Sequence, residues 1–210
     1  MLPPTIPIFP LPNVVLFPNV FLPLHIFEAR YRAMVSEALG GDRIIGMVLL
    51  KTRYEANDEE RPPVFAVGCA GVITHAEPLG DGRFNIVLRG IERFRITGED
   101  GSAPYRIAQV DGLPETIAEA HGAELRRQRH RLEALLAAAI ERAGSEPRFP
   151  PAVPDEDLVN ALAQYLELDP IERQALLERE GVLARCLGLI ELLEMKTIVP
   201  DSTWKGQSVH

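Results

Sequence analysis

The segment Ile6-Pro7-Ile8-Phe9-Pro10-Leu11-Pro12-Asn13-Val14-Val15-Leu16-Phe17-Pro18-Asn19-Val20-Phe21-Leu22-Pro23-Leu24-His25-Ile26-Phe27-Glu28 decides how the remainder of the chain is read. Prolines stand at 7, 10, 12, 18 and 23 between large apolar residues. Proline has no amide hydrogen to give a ladder, and its ring clashes with a preceding helical turn. Neither a helix nor a continuous central strand is therefore expected here. The apolar side chains nonetheless demand burial, so the chain is expected to bend repeatedly inside a core.

Beyond this opening the elements alternate in type. From Glu28 to Leu39, Tyr31, Met34, Val35, Ala38 and Leu39 form one helical face, which Gly40-Gly41 ends. Arg43 to Leu50 reads as a buried strand, Lys51 to Pro63 as an exposed loop, and Val64 to Pro78 as β-rich, with Gly68 and Gly71 suited to a bend or close approach. Gly80-Asp81-Gly82 marks a hairpin. Phe84, Ile86 and Leu88 then share one strand face, Gly90 interrupts before Ile91 to Ile96, and Tyr105 to Val110 forms a last strand. Several such strands on short turns predict a small barrel or a highly curved sheet.

After Pro114 the period changes to that of helices. Leu125, Leu132, Leu135, Leu136, Ala139 and Ile140 lie on one stripe, with Arg126, Arg127, Arg129 and Arg131 mostly off it as a solvated face. A Pro-rich break from Glu146 to Pro154 precedes a helix from about Asp155 to Leu168. Asp169-Pro170-Ile171-Glu172 opens another, with Asp as N-cap and Pro at the first helical position, and Gly181 ends it. Val182 to Lys196 is apolar almost all round and predicts a buried helix.

Composition narrows the functional classes. Cys69 and Cys186 are the only cysteines, too few for a disulfide framework and without metal-ligand spacing, which points to a reducing cytoplasm. Met1 to Thr5 carries no basic residue ahead of an apolar run, so no export signal is expected. Nor is a membrane span, since Arg185, Glu191 and Glu194 interrupt the most apolar late segment. The formal charge is −8, and residues 155–180 alone carry 2 Arg against 8 acids. Such a balance opposes a phosphate backbone and argues against nucleic acid as the partner.

Several segments together carry a family resemblance. Phe9-Pro10-Leu11, Val15-Leu16-Phe17-Pro18 and Pro23-Leu24-His25-Ile26-Phe27-Glu28 stand in the first third. Val67-Gly68-Cys69-Ala70-Gly71-Val72-Ile73 and Leu88-Arg89-Gly90-Ile91-Glu92-Arg93-Phe94 stand in the middle. Leu176-Leu177-Glu178, Arg185 and Leu192-Leu193 stand near the end. In these the chain resembles the amino-terminal domain of Lon-type ATP-dependent proteases, a PUA-like β-domain also found in cereblon and in stand-alone bacterial proteins.

The resemblance implies an α+β protein: a PUA-like curved sheet or pseudobarrel over 1–113, a helical bundle over 114–198, and a flexible tail at 199–210. Pro10, Leu11, Phe17, Pro18, Pro23, Leu24, Phe27, Glu28, Gly68, Gly90 and Arg93 are its structural motif. In Lon proteases this region helps hold unfolded or tagged polypeptide before the ATPase translocates it. The resemblance thus implies a non-enzymatic protein- or peptide-binding module, an adaptor or substrate receptor working with an ATPase or protease in trans. RNA binding and small-ligand binding are the alternative readings.

No catalytic pattern competes with this reading. The only lysines, at 51, 196 and 205, lie in no phosphate-binding loop, and the sequence ends before any serine–lysine peptidase domain begins. Ser36, Ser102, Ser145, Ser202 and Ser208 occupy no Gly-x-Ser-x-Gly elbow. Cys69 and His75 share a strand face at a separation of roughly 20 Å, too far for one metal. No cofactor is expected. Glu28, Arg30, Arg89 and Arg93 are read as structural ion pairs pinning the opening to the sheet, or else as ligand contacts. Phe17, Val20 and Phe21 flank the Pro18-Asn19 turn and are either core or an exposed apolar lip that grips peptide.

Overall fold

The proline-rich opening holds two separate short strands instead of one continuous strand: β1 (Thr5–Leu11) and β2 (Phe21–Ile26). The computed structural model describes residues 2–51, 62–115, 119–142 and 153–198. After β2 come α1 (Ala29–Gly40), β3 (Ile44–Leu49), β4 (Val67–Pro78), β5 (Phe84–Asp100) and β6 (Arg106–Leu113), then α2 (Glu119–Arg142), α3 (Asp155–Tyr165), α4 (Pro170–Glu178) and α5 (Gly181–Ile198). The class is α+β, as expected. Most of the Lys51–Pro63 loop, most of the break at 146–154, and the tail at 199–210 lie outside the described residues.

Register explains how strands tolerate these prolines. Val110 donates to the Pro4 carbonyl at 3.0 Å, and Ile6 and Ile8 stand opposite Ala108 and Arg106. Even-numbered residues of β1 therefore turn their main-chain groups to β6, and odd-numbered ones turn to β3. The nitrogen of Pro7 faces β3, whose ladder begins only at the Ile8–Gly46 pair. The nitrogen of Pro10 faces the β6 side, where pairing has already ended at Ile8–Arg106. In β2, Gly90 donates to the Val20 carbonyl at 2.9 Å, so even-numbered residues face β5 and Pro23 faces the open edge. No proline interrupts a ladder bond. The expectation is corrected for β1 alone, which carries two prolines although it is paired on both sides.

The strand order is β2-β5-β4-β3-β1-β6, and a further β5–β6 pairing closes five strands into a barrel, leaving β2 appended to β5. Only β1–β3 is parallel. The 17-residue β5 serves twice, its first part lying between β2 and β4 and its last part pairing β6. The interruption expected at Gly90 takes the form of a bulge: β5 continues through it, with Ile91 out of the β4 register. A Cβ at Gly90 would lie 2.1 Å from the Phe17 carbonyl oxygen, so only glycine lets the Pro18-Asn19 turn dock on β5. Gly68 is equally constrained, by the Met47 carbonyl oxygen at 2.5 Å from where its Cβ would stand.

Two apolar clusters form. Ile6, Ile8, Val48, Ala70, Phe94, Ala108 and Val110 come from all five barrel strands and fill the lumen. The larger cluster is continuous from Phe17, Met34 and Ile73 to Leu132, Val159, Leu176 and Cys186, so the helices and the sheet share one core. The start of α4 matches its expected chemistry: Asp169 N–H donates to the Glu172 carboxylate at 2.8 Å in a capping box, with Pro170 in the first turn. The helix expected to reach Leu168 stops at Tyr165, where Leu166 turns to extended backbone at ψ 151°. Gly181, at φ +84°, opens α5.

Both thiols are buried, and burial raises the Cys69 thiol to about 12 and the Cys186 thiol to about 11. The nucleophilic thiolate is therefore scarce in the folded chain. Iodoacetamide at pH 8 is expected to leave both unlabelled in the native protein and to label both in urea, as read by intact mass. Rapid native labelling of either would show that the core opens there.

Candidate functional site

The Pro18-Asn19 turn forms as expected, with Asn19 at φ 61° and Val20 N–H donating to the Phe17 carbonyl at 3.3 Å. It is held from three directions. Asn19 N–H donates to the Gly90 carbonyl at 2.9 Å, Asn19 Nδ2 to Asp157 Oδ1 at 2.9 Å, and Phe17 N–H to Gln164 Oε1 at 3.2 Å. The turn is thus sandwiched between β5 and α3.

This docking divides the three residues nominated as a lip. Phe17 is 0% exposed and Val20 4%, whereas Phe21 is 51% exposed. Phe17 and Val20 present no side chain to a partner, so the exposed lip is corrected to Phe21. Strand alternation supplies the reason: Val20, Leu22, Leu24 and Ile26 share the covered face of the strand, and Phe21, Pro23 and His25 point outward.

Two further exposed apolar side chains extend the outward row. Phe27, 61% exposed, follows β2 and stacks on His25 at a 6.2 Å centroid distance. Tyr165, 66% exposed at the end of α3, donates its hydroxyl to the Phe21 carbonyl at 3.0 Å. Across the sheet the row becomes polar. His25 Nδ1 lies 2.8 Å from Asn85 Oδ1, Asn85 Nδ2 donates to Glu77 Oε2 at 3.0 Å, and Arg83 Nη1 approaches His25 Nε2 at 3.4 Å. A neutral imidazole protonated at Nδ1 satisfies both of its contacts. Tyr165 was not singled out from the sequence, because only the fold carries the end of α3 to β2.

The four nominated charges do not form one group. Glu28 and Arg30 pair with each other at 2.9 Å near the surface, where Arg30 also covers the Tyr31 ring, and Arg89 is exposed. Arg93 is buried and belongs to a different clasp. Its Nη1 donates to the carbonyls of Leu177 and Arg179, each at 2.9 Å, and its Nε stands 2.7 Å from Glu115 Oε1 without the alignment of a hydrogen bond. The same carboxylate pairs with the fully buried Arg185, which also reaches Asn160 Oδ1 at 2.6 Å and the Leu176 carbonyl at 3.3 Å. Arg93 thus ties β5 to α4 and, through the shared Glu115, to Arg185 of α5, and does not pin the opening. Burial, and then the neighbouring Arg185, push the proton affinity of Arg93 down. Glu115 is the anion that balances both, and it carried no signal in the sequence.

Three of the α2 arginines are taken up in pairs with carboxylates. Arg127 pairs with Glu124, Arg129 with Glu133 and Asp155, and Arg131 with Glu194. Among the described residues no three His, Cys, Asp or Glu side chains could hold a metal, and no helix is long and apolar enough to cross a membrane.

The profile of the ATP-dependent protease La (LON) substrate-binding domain matches residues 5–195. The chain belongs to this family. Its similarity to Lon protease 2 of Myxococcus xanthus is 28% identity over 220 residues, covering 98% of this chain and 26% of that protein. Lon protease 2 of Syntrophobacter fumaroxidans is 29% identical over 182 residues, covering 84% of this chain and 22% of that protein. The chain therefore spans about a quarter of the length of these curated relatives. The N-terminal domain of Mycobacterium avium complex Lon protease shares its fold at TM-score 0.63 and 19% identity, over 90% of this chain and 98% of that one. A Lon N-terminal domain protein from Xanthomonas campestris does so at 0.60 and 23%, over 89% and 97%. All of these likenesses place the Lon substrate-binding fold on β1 to α5.

Proposed function

We propose that this chain is a non-catalytic polypeptide-binding module that holds unfolded or tagged segments, acting as an adaptor or substrate receptor for an ATPase or protease in trans. Membership of the Lon substrate-binding family supports binding of polypeptide in general. The observation that carries the reading to a surface is the row of Phe21, Phe27 and Tyr165, large apolar side chains left in solvent beside β2. The reducing cytoplasm suits a chain whose two cysteines are free thiols. A net charge of −8 disfavours nucleic acid as the partner. Small-ligand capture has less support, since the cavity between Pro10, Tyr31 and Arg106 holds about 220 Å3 and that between Thr5, Asp42 and Ile107 about 250 Å3, both below the roughly 300 Å3 at which ligand pockets begin.

Fluorescence anisotropy with labelled, reduced and carboxymethylated α-lactalbumin tests the proposal. Binding is expected to be weak, because a single module lacks the multivalency of an assembled protease. Apolar contact should keep binding measurable when salt is raised severalfold, where a purely charge-driven association would be lost. Phe21→Ser is expected to weaken binding about tenfold, or about 1.4 kcal/mol, with unchanged melting. Val20→Ser is expected to lose the fold instead. No association at millimolar chain, or full binding by Phe21→Ser, would remove this surface from consideration.

A further inference from the structure

The row of side chains borders a main-chain edge. Every other strand of the described sheet has partners on both sides over part of its length, whereas β2 pairs with β5 alone. Since even-numbered residues of β2 face β5, the outer edge carries the N–H of Phe21, the C=O of Pro23, and both groups of His25. The Phe21 carbonyl on that edge already accepts the Tyr165 hydroxyl.

We infer that the polypeptide segment binds by strand addition, lying extended along the outer edge of β2 with His25 N–H and C=O as its central bonds. The inference rests on the proposed function and gives that function its geometry. An edge offering donors and acceptors every second residue, about 6.8 Å apart, is complemented by another extended main chain. Phe21 and Phe27 stand at the two ends of this edge, where alternate side chains of an added strand would meet them.

Two observations decide which polypeptide fits. A second copy of β2 fits poorly, because any self-pairing that covers Phe21 to His25 confronts two copies of Pro23, each lacking a donor, where a foreign strand meets only one. Charge supplies the second. Asp157 accepts from Asn19 beside the Phe21 end of the edge, and Glu77 accepts from Asn85, the cross-strand neighbour of His25, so each end lies near a carboxylate bonded to a neutral amide. An apolar segment flanked by Lys or Arg is therefore favoured over one flanked by Asp or Glu.

The test uses the full chain and a synthetic peptide, Lys-Lys-Val-Phe-Val-Leu-Val-Thr-Lys-Lys, followed by anisotropy, with hydrogen exchange at the His25 amide. Binding is expected to slow that exchange. Methylating every central peptide nitrogen should weaken binding at least tenfold, and glutamate in place of the flanking lysines should weaken it at low salt. His25→Pro, which beyond the imidazole that His25→Ala also removes takes away the outward N–H of an edge strand that already holds a proline, should lose at least tenfold more than His25→Ala. Should His25→Pro not fold, the methylated peptide decides alone. Full binding of the methylated peptide overturns strand addition while leaving polypeptide binding intact. No binding by any peptide or unfolded protein overturns both. Sedimentation showing a dimer that His25→Pro dissociates would assign the edge to a second copy and overturn the foreign strand.

Discussion

Replacing Glu115 by alanine is expected to cost about 3–5 kcal/mol of folding stability, the range found when one partner of a buried ion pair is removed. The reason is the company the carboxylate keeps. Arg93 and Arg185 are both buried and share Glu115, so its loss leaves two guanidinium charges facing each other with no anion between them. Burial and mutual repulsion already lower the proton affinity of Arg93. The carbonyls of Leu176, Leu177 and Arg179 would remain as partners, and they carry no charge to compensate. Since domains of this size are stable by about 5–15 kcal/mol in all, much of the fold's margin depends on one side chain. Urea unfolding followed by circular dichroism measures the loss, and a change under about 1 kcal/mol would mean that water enters and solvates the clasp.

Phe94→Ala is expected to cost about 3–5 kcal/mol, and Leu88→Ala about 2–5 kcal/mol. Both side chains are fully buried, but their surroundings differ. Phe94 fills the barrel lumen, and its ring tip lies 2.8 Å from where a Cβ of Gly46 would be and 2.7 Å from one on Gly68. The two glycines contribute no side chain that could swing into the vacated space, and the closed ladder resists collapse, so a void remains. Leu88 lies in the larger cluster beneath the helices, where neighbours have more room to adjust. The Phe94 variant should therefore fall nearer the top of its range than Leu88 does. Urea midpoints close to wild type would show that the barrel contracts around the missing ring.

Features whose chemistry lies within one turn of chain were legible before the fold was known. Asp169, Pro170 and Glu172 announce α4, and Gly80-Asp81-Gly82 announces the β4–β5 hairpin, because each needs only its own neighbours. β1 and β2 were not legible, since whether a proline breaks a ladder depends on which neighbouring strand its nitrogen faces at that level. The same ignorance of register left Val20 and Phe21 undivided, although they lie on opposite faces once β2 is in place. Glu115 is a lone carboxylate after Pro114, and the arginines that give it meaning stand far away on either side in sequence. Tyr165 likewise acquires its place only through the packing of α3 on the turn.

The staggered pairing of β1 also governs how the chain is made. Thr5 must find Gln109, and the barrel cannot close until β6 has been synthesised. At about 5–20 residues per second the first strand waits roughly 5–20 s on the ribosome for its last partner. During that wait it is an apolar strand with nothing to hold, a natural template for mispairing. Pro7 and Pro10 each withhold a donor, one on either edge, so a stray strand finds an incomplete ladder whichever side it approaches. The prolines that made the opening look unlike a strand thus protect it as a nascent one.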